Sequence, residues 1–212
     1  MTARLPKSAH ASRPWRIHEI AHDFRLEDVW ALPTPGGADG FARLVELVAS
    51  FDPQRSSSAV LRGLFALRWR IGGLLGWDTV SAGIGSRVAT LRDRLPPDLF
   101  DWPSGPSSND LPFSPLYLTE DEWALEVANE TVHGVLHLGW VADPDGGYRG
   151  QMAVLVKRNG LLGGAYMAAI SPFRHTLVYP ALMRDFEREW RRPAGEPAPA
   201  RDGIGALREG RA

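Results

Sequence analysis

One change of period constrains this chain more than any other feature. Through much of residues 122–156 apolar side chains recur at every second position, the repeat of a strand whose side chains point to alternate faces. Trp123, Leu125 and Val127 alternate with Glu122, Ala124 and Glu126, which predicts a half-buried strand. Further strands are expected over 113–118, 131–141, 148–156 and 165–170. Turn signals stand between them at Asn129-Glu130, Asp145-Gly146 and Asn159-Gly160. After that the pattern turns helical. Ser171 offers an N-cap and Pro172 a first helical position, and the helix is expected to reach Trp190 with a kink near Pro180. Strands in succession, closed by one helix, predict an α+β fold: a curved antiparallel sheet packed around a long C-terminal helix.

The N-terminal half is predicted to add two shorter helices. Phe41, Leu44, Val45, Val48 and Phe51 form a helical stripe over 41–51, which Asp52-Pro53 ends. A second helix is expected over 59–77, weakened at its end by Gly72, Gly73 and Gly76. Residues 15–20 read as a first strand. Residues 80–95 show no clear period, and Pro96-Pro97 and the stretch 103–112, rich in Pro, Gly and Ser, read as loop. Residues 1–13 are polar and expected to be flexible. The stretch 193–212 carries too little apolar surface to offset its ordering entropy. One domain over 14–192 remains.

Composition excludes several classes. The net charge of −1 provides no basic field for a phosphate backbone, so no nucleic-acid partner is expected. With no cysteine, disulfides and thiolate chemistry are ruled out. No apolar run is long enough for a membrane span or a signal segment, and a cytoplasmic location is expected.

Side chains two apart on a strand share a face. Val132, Leu136, Leu138 and Trp140 are placed inward, with Thr131, His133, Val135 and His137 opposite. Tyr148, Met152, Val154 and Val156 are placed inward on the next strand, with Arg149, Gln151, Ala153, Leu155 and Lys157 outward. An inner surface of this kind suits an apolar ligand. Its candidate contacts are Trp123, Trp140, Tyr148, Met152 and, on the last expected strand, Tyr166. The same row also describes ordinary core packing.

Three polar features carry chemical alternatives. His18-Glu19-Ile20-Ala21-His22 matches the H-E-x-x-H pattern, in which one helical turn brings two histidines to a zinc. On an extended segment His18 and His22 lie about 13 Å apart and no single metal reaches both. The same arithmetic separates His133 from His137, expected to be exposed on the outer face. Arg68 points with Leu61, Leu64, Ile71 and Leu75 on a helical wheel. It either anchors an acidic group of a ligand or runs its stem along the apolar edge. The glycine-rich run at 159–164 lacks the order of a dinucleotide site, and no cofactor is expected.

Four segments resemble a known family. They are Asp28-Val-Trp-Ala-Leu-Pro33; Leu64-Phe-Ala-Leu-Arg-Trp-Arg70 leading to Leu75-Gly-Trp77; Thr131-Val-His-Gly-Val-Leu-His-Leu-Gly-Trp140; and Pro172-Phe-Arg-His175 with Tyr179-Pro180. Together they are similar to the bacterial domain of unknown function 2867. That resemblance implies a START-like, helix-grip (SRPBCC) domain with a ligand cavity between the sheet and the final helix. Some relatives carry a nucleotide-binding dehydrogenase domain, which implies an oxidoreductase as one possible partner. It supplies no catalytic residues.

The first functional expectation is therefore the binding of a small, largely apolar molecule. The alternatives are an enzyme of cyclase, hydrolase or isomerase type in the same cavity, a zinc hydrolase through His18, Glu19 and His22, and a regulatory domain without ligand.

Overall fold

The computed structural model describes residues 3–59, 62–63, 88–107, 111–128, 132–158 and 174–192. Its strands are β1 (Ala3–Arg4), β2 (Arg25–Ala31), β3 (Ser114–Leu118), β4 (Glu122–Ala128), β5 (Val132–Ala142) and β6 (Tyr148–Arg158). They form one antiparallel sheet in the order β1-β2-β6-β5-β4-β3. The long pair β5 and β6 is its centre, registered from Val132↔Arg158 to Ala142↔Tyr148 across the expected Asp145-Gly146 turn. The helices are α1 (Ser8–Ala11), α2 (Ile17–Ile20), α3 (Phe41–Ala49) and α4 (Tyr179–Trp190). The α+β class, the antiparallel sheet, the C-terminal helix and the N-terminal-half helix over Phe41–Ala49 are as the sequence predicts.

Both helices of the first face show why they form. On α3, Phe41, Leu44, Val45 and Val48 are buried, a stripe with helical spacing. Asp52 ends the segment by accepting from the Gln54 N–H in a 3-10 turn, Pro53–Arg55. On α4, Tyr179, Met183, Phe186 and Trp190 make the buried stripe. They meet Trp30, Trp123, Leu125, Leu138, Trp140 and Met152 from the sheet. Each large apolar side chain so buried contributes about 1.5–3 kcal/mol. The indoles are also satisfied at their polar ends: Trp140 donates to the Gly37 carbonyl at 3.0 Å and Trp190 to the Pro35 carbonyl at 3.0 Å. Gly40 leaves room for this arrangement, since a Cβ there would sit 2.5 Å from the Trp140 ring.

The start of the terminal helix differs from expectation. Residues 174–178 form a π-turn, and Pro180 occupies the first turn of α4, where its missing N–H leaves no bond unmade. No kink is needed. The expected cap, Ser171 and Pro172, lies outside the described residues.

The second face holds the larger correction. Residues 15–20, expected as a strand, contain the helical turn α2, and residues 3–13 carry β1 and α1 rather than a loose end. The first long strand is β2, where Leu26, Asp28 and Trp30 alternate with Glu27, Val29 and Ala31 without an apolar side standing out. The segments α1 and α2, with 3-10 turns at Leu91–Arg94 and Pro97–Leu99, cover the sheet face opposite α4. Trp15, Ile17, Ile20, Leu91, Leu95 and Leu99 pack there against Tyr117, Ala124, Val135, Val141, Ala153 and Leu155. The row expected to face water is thus a second buried core. Of the helix expected over 59–77 only Ala59, Arg62 and Gly63 are described, and they are helical; the rest of it, the strand expected over 165–170 and the tail 193–212 lie outside the described residues.

Candidate functional site

Two buried polar groups of residues stand out, one on each face. On the α4 face, Asp28 is only 1% exposed. A buried carboxylate needs donors, and β2 sets Asp28 where four arrive. Arg174 Nη2 donates to Oδ2 at 2.9 Å and Tyr179 Oη to the same oxygen at 3.2 Å. His175 Nε2 lies 2.7 Å from Oδ1, and Arg4 Nη2 donates to that oxygen at 3.1 Å. The π-turn before α4 makes this convergence possible, because it presents Arg174 and His175 together with Tyr179. Burial, then the Asp28 charge, pushes the Tyr179 hydroxyl above its ordinary range, so it stays a donor.

This polar group borders the aromatic interior. The Trp30 ring is stacked 6.5 Å from His175 and lies 4.9 Å from Tyr179. Among the described residues, two donors of this group are buried without a partner: Trp30 Nε1 and Arg174 Nε. Unsatisfied buried donors are rare and call for an explanation.

On the opposite face two His–Glu pairs repeat at one interval. Glu122 and Glu126 are four apart on β4; His133 and His137 are four apart on β5. Four residues are two full pleats, so each pair of like residues shares a face. The register opposes Ala124 to His137 and Ala128 to His133, which makes each glutamate the diagonal neighbour of one histidine. His137 Nε2 lies 2.8 Å from Glu122 Oε2, and His133 Nε2 lies 2.9 Å from Glu126 Oε2. Burial works to raise the Glu126 pKa. Bonds from His133, the Leu91 N–H and the Thr90 hydroxyl outweigh it, and the pKa lies below its ordinary value.

The first of these pairs continues outward as a row. His10 Nε2 lies 3.1 Å from His137 Nδ1, and His18 Nε2 lies 3.1 Å from His10 Nδ1. Glu122 also accepts from the Arg16 N–H at 2.9 Å and from the Tyr117 hydroxyl at 3.1 Å. The contacts fit one row of tautomers, in which His137 donates from Nε2 to Glu122 and accepts at Nδ1 from His10 Nε2, and His10 accepts at Nδ1 from His18 Nε2. Burial first, then the neighbouring His137, His18 and Arg13, lowers the His10 pKa to about 2. Burial also lowers that of His18.

The expected site residues fall out as follows. Trp123, Trp140 and Met152 are buried at 1%, 5% and 3% exposure on the α4 face, as expected. Tyr148 corrects the expectation: it is 37% exposed, because it starts β6 at the sheet's end. His133 and His137 are also corrected, being 3% and 0% exposed rather than on an open face. Arg68 and Tyr166 lie outside the described residues. The H-E-x-x-H histidines diverge. His18 turns to His10, while His22 Nδ1 lies 3.2 Å from the Glu19 carbonyl and Glu19 pairs with Arg16. Among the described residues, no three or more His, Asp or Glu side chains converge as a metal site. Periodicity missed Asp28, His175, His10 and the two glutamates. The equal four-residue spacing on adjacent strands was the available signal for the last pair.

Among the described residues no helix is long and apolar enough to cross a membrane. No curated protein and no solved structure matches the chain. A family model described as "Protein of unknown function (DUF2867)" matches residues 20–181, which include β2, the whole β3–β6 meander, Asp28, Arg174, His175 and Tyr179. That match spans most of the chain, and the chain belongs to the DUF2867 family.

Proposed function

We propose that this protein is a START-like helix-grip domain that binds a small, largely apolar molecule between the sheet and α4. The ligand carries one hydrogen-bond acceptor at its polar end. The observation that carries this reading is a pair of donors, Trp30 Nε1 and Arg174 Nε, buried without a partner among the described residues where the Asp28 group meets the aromatic interior. A ligand oxygen that accepts from them removes the cost of leaving them unpaired. Trp123, Trp140 and Met152 belong to the apolar surface that receives the rest of the molecule.

Native mass spectrometry of freshly purified protein, joined to titration with dansyl-undecanoate, tests the proposal. Stoichiometric binding that weakens by about tenfold in Trp30→Phe supports it, that being the worth of one hydrogen bond to a charged acceptor. Neither a co-purified molecule nor probe binding would leave a filled interior and a regulatory role, with an oxidoreductase as one partner to test.

The 2.7 Å contact between His175 and Asp28 favours an enzymatic second reading in the same place. A carboxylate so placed orients an imidazole for acid–base work. Chemical change of the co-purified molecule on incubation, stopped by His175→Gln, would select that reading over binding alone.

A further inference from the structure

The face opposite α4 contains a hollow of about 430 Å³ that plays no part in the site above. Its walls include Arg13, Trp15, Leu99, Trp102, Asp121 and Glu122. The volume falls in the range of small-molecule pockets. Four observations bear on what it holds.

Trp15 is 5% exposed, and its indole N–H is buried with no partner among the described residues. The Arg13 guanidinium lies over the Trp15 ring, 5.9 Å from its centroid, and makes no ion pair among the described residues. Arg16, the other cation of the hollow, is already engaged by Asp98 and Glu19. Trp102 is 42% exposed, an indole face open to a planar partner. The hollow thus combines an unused cation, an unused buried N–H and an open aromatic surface.

Its two carboxylates do not cancel this character. Glu122 is occupied by Arg16 N–H, Tyr117 and His137. Asp121 accepts from the Thr119 hydroxyl at 3.3 Å. Burial, then the Glu122 charge, raises the Asp121 pKa, which brings its protonated, donating form within easier reach.

We infer that this hollow is a second ligand site, specific for a small planar aromatic carboxylate. The carboxylate takes the Arg13 guanidinium and the Trp15 N–H, and the ring lies against Trp102. The site is independent of the interior beneath α4, because the sheet separates the two faces.

The test is NMR of protein with ¹⁵N-labelled tryptophan. The eight indole N–H signals are assigned by single Trp→Phe variants. The probe is 1-naphthoate, with neutral 1-naphthamide as its control. Naphthoate is expected to move the Trp15 and Trp102 signals, and naphthamide to bind about tenfold more weakly, the worth of one charge-assisted bond. Arg13→Gln is expected to weaken naphthoate by a similar factor while leaving the melting temperature unchanged. Should Trp15→Phe fail to fold, Arg13→Gln and the control carry the test. Three results would overturn the inference: shifts confined to Trp30, Trp140 and Trp190, no shift at saturating probe, or an unchanged Kd in Arg13→Gln.

Discussion

The two faces of this sheet are buried in different ways. At α4 the contacts are made mostly by apolar and aromatic side chains, with buried polar groups gathered around Asp28 and around Asp185. Beneath α1 and α2, histidines and glutamates run through the middle of the packing. Apolar burial is non-directional and tolerates adjustment. Buried ionisable groups persist only while each partner stays in place. The first face derives its stability from area, the second from geometry, and the two should respond differently to substitution and to acid.

The largest expected effect is at Asp28. Asp28→Ala removes the buried acceptor shared by Arg174, His175 and Tyr179 and should cost about 3–5 kcal/mol, read from the urea midpoint. A loss under about 1 kcal/mol would mean that the acid group contributes little to the α4 face.

Acid should act mainly on the second face. His10 titrates near pH 6.5 when unfolded but at about 2 when folded, and His18 is also lowered. The unfolded state therefore binds more protons below pH 6.5. The stability is complete above that pH and is lost as pH falls. Between pH 6.5 and 4.5, His10 alone should remove roughly 2–3 kcal/mol. His10→Gln should flatten that slope. A slope that is the same with and without His10 would refute the assignment.

Glycine substitutions contrast the faces on a single strand. A Cβ at Gly139 would sit 2.7 Å from the rigid Trp15 ring, whereas one at Gly134 would meet Val127 at 3.4 Å. Gly139→Ala should cost about 1–3 kcal/mol. Gly134→Ala should cost no more than about 0.5 kcal/mol. Equal effects would show that the second face yields as readily as the first. The smallest change is expected for Tyr148→Ser, within about 0.5 kcal/mol, because that ring is 37% exposed.

The β-meander and α3 were legible because each has a period of its own. The β3 to β6 boundaries fall within about two residues of the turn and alternation signals, the usual uncertainty of element ends. β2 was not legible. Both of its faces are buried, so Leu26 to Ala31 offer no polar side to reveal the alternation. Short helices such as α1 and α2 lack the length to show a period at all. Their place on the sheet depends on contacts far along the chain: Gln151 to the Ala9 carbonyl, Arg16 to Glu122, and His10 to His137. At the candidate site, Trp123, Trp140 and Met152 followed from strand parity. Asp28 and His175 are 147 residues apart, and no local pattern joins them.

Period, turn chemistry and apolar content were properties of the sequence alone, and they determined the strands of the meander, the helical stripe of α3 and the α+β class. They could do so because side-chain alternation depends only on the local backbone. Tertiary structure decided which polar residues go inside. A histidine or glutamate is buried or exposed according to whether a partner reaches it, and at His10, Glu122 and Asp28 those partners arrive from distant segments brought together by the fold.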